Sequence, residues 1–188
     1  VRQNGLDFHH ETRQDILQDM PKNIEIKARV ANPAALEAGV RILATGGPHQ
    51  IAQHDTFFEV PVGRLKLRRF EDGRAELIYY QRPDSKSPAA SEYMRVAVAN
   101  ETSVATLLSA ALGTAGDVRK TRTLYWIGQT RVHLDKVDGL GNFMELEVTL
   151  SDLESEARGQ EIALALMEKL GISPADLVEG AYLDLIHA

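Results

Sequence analysis

The stretch from Arg131 to Val148 constrains this chain most. Arg131-Val132-His133-Leu134-Asp135 and Glu145-Leu146-Glu147-Val148 alternate polar with apolar residues on either side of Gly139-Leu140-Gly141. Strand side chains point alternately to opposite faces, so the pattern reads as two strands joined by a turn. Arg131, His133 and Asp135 then share one face, and Glu145 and Glu147 share one face of the returning strand. Val132, Leu134, Leu146 and Val148 point the other way. If the hairpin closes with its polar faces together, three carboxylates converge beside at least one cation. Such a group is either a solvated sheet face or a site for a divalent metal.

The same alternation recurs along the chain. Residues 23–30 place Glu25, Lys27 and Arg29 opposite Ile24, Ile26, Ala28 and Val30. Strands are also expected at 53–60, 64–69, 75–82, 93–99 and 118–127, with an Asp-Gly hairpin turn at Asp72-Gly73. Helices are expected from Asn32-Pro33 to about Gly46, over 101–112, and from a capping box at Ser151 to Glu154 through Leu170. A short last helix is expected to start at Ser173-Pro174. Residues 83–91 read as a mobile loop, and residues 1–20 as a tail or loose helix ahead of one domain over 21–188. About eight strands with inserted helices make an α+β fold built on an antiparallel sheet or barrel.

Composition narrows the function. A net charge of −6 argues against a general nucleic-acid binder. The absence of cysteine removes disulfides, thiolate nucleophiles and thiolate metal sites, so any metal must use carboxylates or histidine. No apolar run reaches membrane-spanning length, which predicts a cytoplasmic protein without a membrane partner. No Walker loop, Rossmann fingerprint or Gly-x-Ser-x-Gly elbow occurs.

One wet face on an antiparallel sheet would explain any single charged strand. It explains less well why the pattern recurs in both halves of the chain, since the helices also need apolar sheet to pack on. Helices packed outside would turn the charged faces into a closed cavity, where charge is costly unless paired or ligated. A polyphosphate held by Arg and Lys, with Mg²⁺ or Mn²⁺ held by carboxylates, would satisfy both sets.

In order, Asn23-Ile24-Glu25-Ile26-Lys27, the basic run Arg64 to Arg68, Lys120-Thr121-Arg122, and Asp135 followed by Gly139 to Glu147 resemble the CYTH family, the triphosphate tunnel metalloenzymes. The resemblance runs from about Pro21 to the C-terminus. It implies a closed eight-stranded antiparallel β-barrel with inward charges and helices outside. It also implies Glu25, Asp135, Glu145 and Glu147 as metal ligands. Lys27, Lys66, Arg68, Arg82, Lys120, Arg122 and Arg131 become phosphate contacts, with Lys27, Arg122 and Glu145 catalytic. The partner it implies is a triphosphate such as ATP, inorganic triphosphate or thiamine triphosphate, and it allows a homodimer. Asn23 departs from the motif, standing where a first Glu is expected and, on this reading, across the tunnel from the acidic hairpin.

The implied activity is metal-dependent triphosphate cleavage, closest to the class IV adenylyl cyclases that convert ATP to cyclic AMP and pyrophosphate. The alternatives are an inorganic or thiamine triphosphatase and a non-catalytic triphosphate-binding module, the latter motivated by Asn23. A structural interaction domain with charged strands facing water ranks last.

Overall fold

In the computed structural model, which describes residues 20–151 and 153–188, eight antiparallel strands close into a barrel in the order β1-β5-β4-β3-β2-β6-β7-β8. In chain order they are β1 (Lys22–Arg29), β2 (Gly46–Phe58), β3 (Arg64–Phe70), β4 (Ala75–Gln81) and β5 (Ala89–Ala97). The last three are β6 (Thr114–Ile127), β7 (Thr130–Val137) and β8 (Gly141–Thr149). Among the described residues four helices pack outside: α1 (Pro33–Leu43), α2 (Glu101–Leu112), α3 (Glu156–Lys169) and α4 (Tyr182–His187). The expected tail or loose helix over 1–20 falls almost wholly outside the described residues. No helix among the described residues is long and apolar enough to cross a membrane.

The outward strand positions carry the apolar residues, and the helices cover most of them. Ile24, Ile26 and Ala28 of β1, Val132 of β7 and Leu146 and Val148 of β8 are buried with Leu36 and Val40 of α1 and Ala163, Leu166 and Met167 of α3. Removing that apolar area from water is the main force holding helices to barrel. Gly159 lets α3 approach closely, since a Cβ there would come within 2.5 Å of Ile24 Cγ1. Asn32 caps α1 by accepting from Ala35 N at 3.1 Å, and Asn100 caps α2 by accepting from Ser103 N at 3.0 Å.

Several boundaries differ from expectation. β2 begins at Gly46, because the chain leaves α1 at Leu43 and pairs immediately with β6. β5 begins at Ala89, inside the stretch expected to be a loop, because β1 recruits it: Ser91 stands opposite Asn23 and Ala89 opposite Glu25. The Ser151–Glu154 capping signal closes a turn in which Ser151 N donates to Glu154 Oε2 at 2.9 Å, while α3 starts later, capped by Ser155. The last expected helix is only a 3-10 turn over Pro174–Asp176, and Tyr182 opens α4.

Candidate active site

With the apolar faces turned outward, the polar faces line a cavity of about 340 Å³ inside the barrel. Among the described residues, ten Lys or Arg but only five Asp or Glu side chains line it. Lys27, Lys66, Arg68, Arg82, Lys120, Arg122, Arg131, Glu25, Glu145 and Glu147 are all there. Asp135, the remaining expected site residue, lies beneath the lining and is 2% exposed.

Strand register explains the grouping. β7 and β8 set Arg131 opposite Glu147 and His133 opposite Glu145, while β1 sets Glu25 opposite Glu147 and Lys27 opposite Glu145. The acidic hairpin and the first strand are therefore neighbours. Asn23 is not across the barrel from Glu147 but beside it, donating from Nδ2 to Glu147 Oε1 at 2.9 Å. The barrel closes between its first and last strands, a pairing that no local pattern announces.

Two buried carboxylates brace the cations. Arg122, opposite Asp135 on β6 and β7, donates to it from Nε at 2.7 Å and from Nη2 at 2.6 Å. Lys120 Nζ at 3.1 Å and the Tyr182 hydroxyl at 2.9 Å also donate to Asp135 Oδ2. Asp55 repeats the arrangement, accepting from Arg68 at 2.7 and 2.6 Å and lying 2.9 Å from Lys66 Nζ. Burial pushes both carboxyls up, yet Arg122 and Lys120 at Asp135, and Arg68 and Lys66 at Asp55, outweigh it and hold both well below the carboxylate range.

The cations respond in turn. Burial, then Arg68, brings Lys66 down to about 7, and burial, then Arg122, lowers Lys120. Burial also lowers Lys27, which donates to Gly180 O at 2.9 Å and sits 4.1 Å over the Tyr182 ring. Arg82 reaches the same carbonyl at 3.1 Å. Protonated amines are thus held at a cost that an incoming polyanion would relieve.

The third group is acidic. Glu145 lies 2.7 Å from Arg122 and 3.4 Å from Lys27; Glu147 lies 2.7 Å from Arg131. His133 sits between them, at 3.6 Å from Glu145 and 3.5 Å from Glu147. Glu25 lies 3.5 Å from Arg82 and accepts a hydrogen bond from Ser91. Burial, then the charge of Glu147, pushes Glu25 up to about 7. Among the described residues no group of three His, Asp or Glu side chains is already arranged to hold a metal ion. The donor set nevertheless fits a hard dication. Glu25, Glu145 and Glu147 offer oxygen ligands on adjoining strands, and a dication would offset the burial and the Glu147 charge that raise Glu25. Asp135 fits less well, because hydrogen bonds already engage both of its oxygens.

Asp55 and Tyr182 also belong to the site, although the motif does not mark them, and so does Arg64, which opens the basic run. Arg64 and Asp55 stood on charged faces in the sequence, but Asp55's role depends on nonlocal pairing of β2 with β3. Tyr182 enters the cavity because α4 sits against β6.

The CYTH domain family model matches residues 21–182. A Methanocaldococcus jannaschii protein named "putative adenylate cyclase" is 32% identical over 68 residues, covering 36% of this chain and 39% of that protein. The matched segment thus spans well under half of that relative's length. A solved protein from Pyrococcus horikoshii superposes with a TM-score of 0.79 at 23% identity, covering 87% of this chain and 98% of that one. A "putative adenylate cyclase" from Vibrio parahaemolyticus gives 0.73 at 21%, covering 90% and 99%. A Hippeastrum protein, described as a "putative adenylyl cyclase" with a dominant triphosphatase activity, gives 0.57 at 19%, covering 80% and 88%. At these identities the structural likenesses establish the fold alone.

Proposed function

Because this chain belongs to the CYTH family of triphosphate tunnel metalloenzymes, we propose that it cleaves a triphosphate inside its barrel, as an adenylyl cyclase acting on ATP. The observation that carries this reading is the twofold excess of Lys and Arg over Asp and Glu in an enclosed cavity. A chain of phosphates supplies the missing negative charge, with several oxygens for charge-assisted hydrogen bonds.

Arg68 and Arg122 are pre-set by Asp55 and Asp135, so they meet phosphate oxygens without first reorganising. Lys27, Lys66 and Lys120 complete the cradle, and a bound polyanion would draw Lys66 fully into its protonated form. Glu25, Glu145 and Glu147 are the residues that would hold Mg²⁺ or Mn²⁺. Such an ion, when bound, supplies charge neutralisation and Lewis acidity toward a phosphoryl oxygen. In the cyclase reaction the ribose 3′-hydroxyl gives up its proton to water as its oxygen bonds to the α-phosphorus, the bond from that phosphorus to the α,β-bridging oxygen breaks, and pyrophosphate leaves. The fixed cations stabilise charge accumulating on the departing pyrophosphate.

Triphosphatase activity is the second reading, in which water attacks the terminal phosphorus. The same cations serve it, and the Hippeastrum protein, which shares this fold, is described as having a dominant triphosphatase activity. Incubating the chain with ATP, inorganic triphosphate or thiamine triphosphate and either metal separates the two. Cyclic AMP with pyrophosphate supports the cyclase, and orthophosphate the triphosphatase. No product from any combination overturns both.

A further inference from the structure

Lys66 differs from the other lysines of the cavity in access and in partners. Its side chain is 13% exposed, against 3% for Lys27 and 4% for Lys120. Lys27 is tied to Gly180 O and Glu145, and Lys120 to Asp135 and the face of the Tyr182 ring. Lys66 pairs with one carboxylate, Asp55 at 2.9 Å, and Arg68 already engages both oxygens of that group. Burial and the charges of Arg68 and Lys120 therefore outweigh Asp55 and bring the amine to about 7, against an ordinary 10.5. At neutral pH its uncharged, nucleophilic fraction exceeds that of an ordinary lysine by on the order of a thousand-fold.

The surroundings define what such an amine can meet. Phe57 on β2 and Tyr80 on β4 flank it from the two neighbouring strands, each ring centroid 5.3 Å from Nζ, and both line the cavity. They offer faces to a flat ring. Arg68 lies two residues along β3, about 7 Å of strand. Its pair with Asp55 uses Nε and Nη2 but not Nη1. Lys120 and Arg122 line the same space. A phosphate held by these cations places a carbonyl on the same small molecule beside the Lys66 amine. The cavity of about 340 Å³ has room for one ring and one phosphate.

We propose that Lys66 is a covalent site for phosphate-bearing aromatic aldehydes, forming an imine with an aldehyde whose phosphate Arg68 and its neighbouring cations hold. The Nζ lone pair adds to the carbonyl carbon, and the carbonyl oxygen takes one proton from nitrogen. That oxygen then leaves as water with the second nitrogen proton as the C=N bond forms. Amine and aldehyde give imine and water, with nothing oxidised or reduced. A protonated imine keeps positive charge on the same nitrogen, so Asp55 keeps its partner. The proposal uses the cationic cavity and goes beyond triphosphate cleavage, which it does not require.

The test treats the full chain with pyridoxal 5′-phosphate at neutral pH, reduces the imine with borohydride and maps the labelled lysine by peptide mass spectrometry. Lys66 is expected to react at least about ten-fold faster than the exposed Lys86, Lys136 and Lys169. Pyridoxal, which has the same ring and aldehyde but no phosphate, is expected to label Lys66 roughly ten-fold more slowly. Label confined to the exposed lysines, or equal rates at Lys66 for the two aldehydes, would overturn the proposal. Calorimetry with inorganic triphosphate separates it from the reading above. Lys66 labelled in a chain that binds no triphosphate counts against the triphosphate reading alone. Lys66 unlabelled in a chain that does bind it counts against this proposal alone.

Discussion

Glu25 and Glu147 stand directly opposite one another across β1 and β8, two carboxylates in register inside the barrel. Burial disfavours the Glu25 carboxylate and the like charge of Glu147 adds to the effect, so Glu25 keeps its proton up to about pH 7 against an ordinary 4.5. The folded protein therefore binds this proton more tightly than the unfolded chain. Below pH 4.5 both states carry it, and the group is neutral toward stability. Between about 4.5 and 7 the unfolded chain releases it first, so stability falls as pH rises, and the full penalty stands above 7. Melts of the metal-free protein in chelator are expected to show this slope, and Glu25→Gln is expected to flatten it. An unchanged slope in Glu25→Gln would remove Glu25 as its source.

Asp135 has the opposite sign, and its removal should be expensive. Asp135→Asn leaves Arg122 and Lys120 buried without their shared counter-charge. Breaking a buried pair from one side costs about 3–5 kcal/mol. Urea unfolding is expected to show a loss of that order. Added triphosphate should recover part of it by supplying negative charge to the same cations. A variant as stable as the parent would mean that water compensates the pair and that Asp135 does not brace it.

Glu145→Gln tests the acidic side of the site. Glu145 touches Lys27 and Arg122 and borders His133, so the variant keeps its shape while losing one charge. Turnover is expected to fall by roughly 10²-fold or more, as when one preorganised charge-stabilising group is removed. The circular dichroism spectrum should stay that of the parent. A turnover rate equal to the parent's would separate Glu145 from the chemistry.

What could be read before folding follows from range. Alternation within each strand is local, so Lys27, Lys66, Arg68, Lys120 and Arg122 could be assigned to charged faces from sequence, while the closed barrel that turns those faces inward was implied by the CYTH resemblance. Partners across strands are not local. That Arg68 meets Asp55 depends on β2 pairing with β3, and that Asn23 meets Glu147 depends on the barrel closing between its ends. Helix onset was legible at Asn32-Pro33, where the cap precedes the first turn, but not where Ser151 and Glu154 imitate a cap to close a turn.

Asn23 offers the sharpest single test of the metal site. Its Nδ2 donates to Glu147, while its buried Oδ1 finds no hydrogen-bond partner among the described residues. That oxygen lies beside the carboxylate corner formed by Glu25 and Glu147, where the family motif has an acid. Asn23→Asp is nearly isosteric, so shape is held while a donor is lost and a charge gained. Without metal, Glu147 then faces a like charge instead of an amide, and the variant is expected to be about 1–3 kcal/mol less stable. With Mn²⁺ the order should invert, because a further anionic oxygen strengthens a hard-ion site. Calorimetric Mn²⁺ titration of both proteins in the absence of nucleotide reads this directly. Tighter binding in Asn23→Asp places residue 23 within reach of the ion and makes asparagine the reason for a weak site. Unchanged or weaker binding places the ion elsewhere in the barrel.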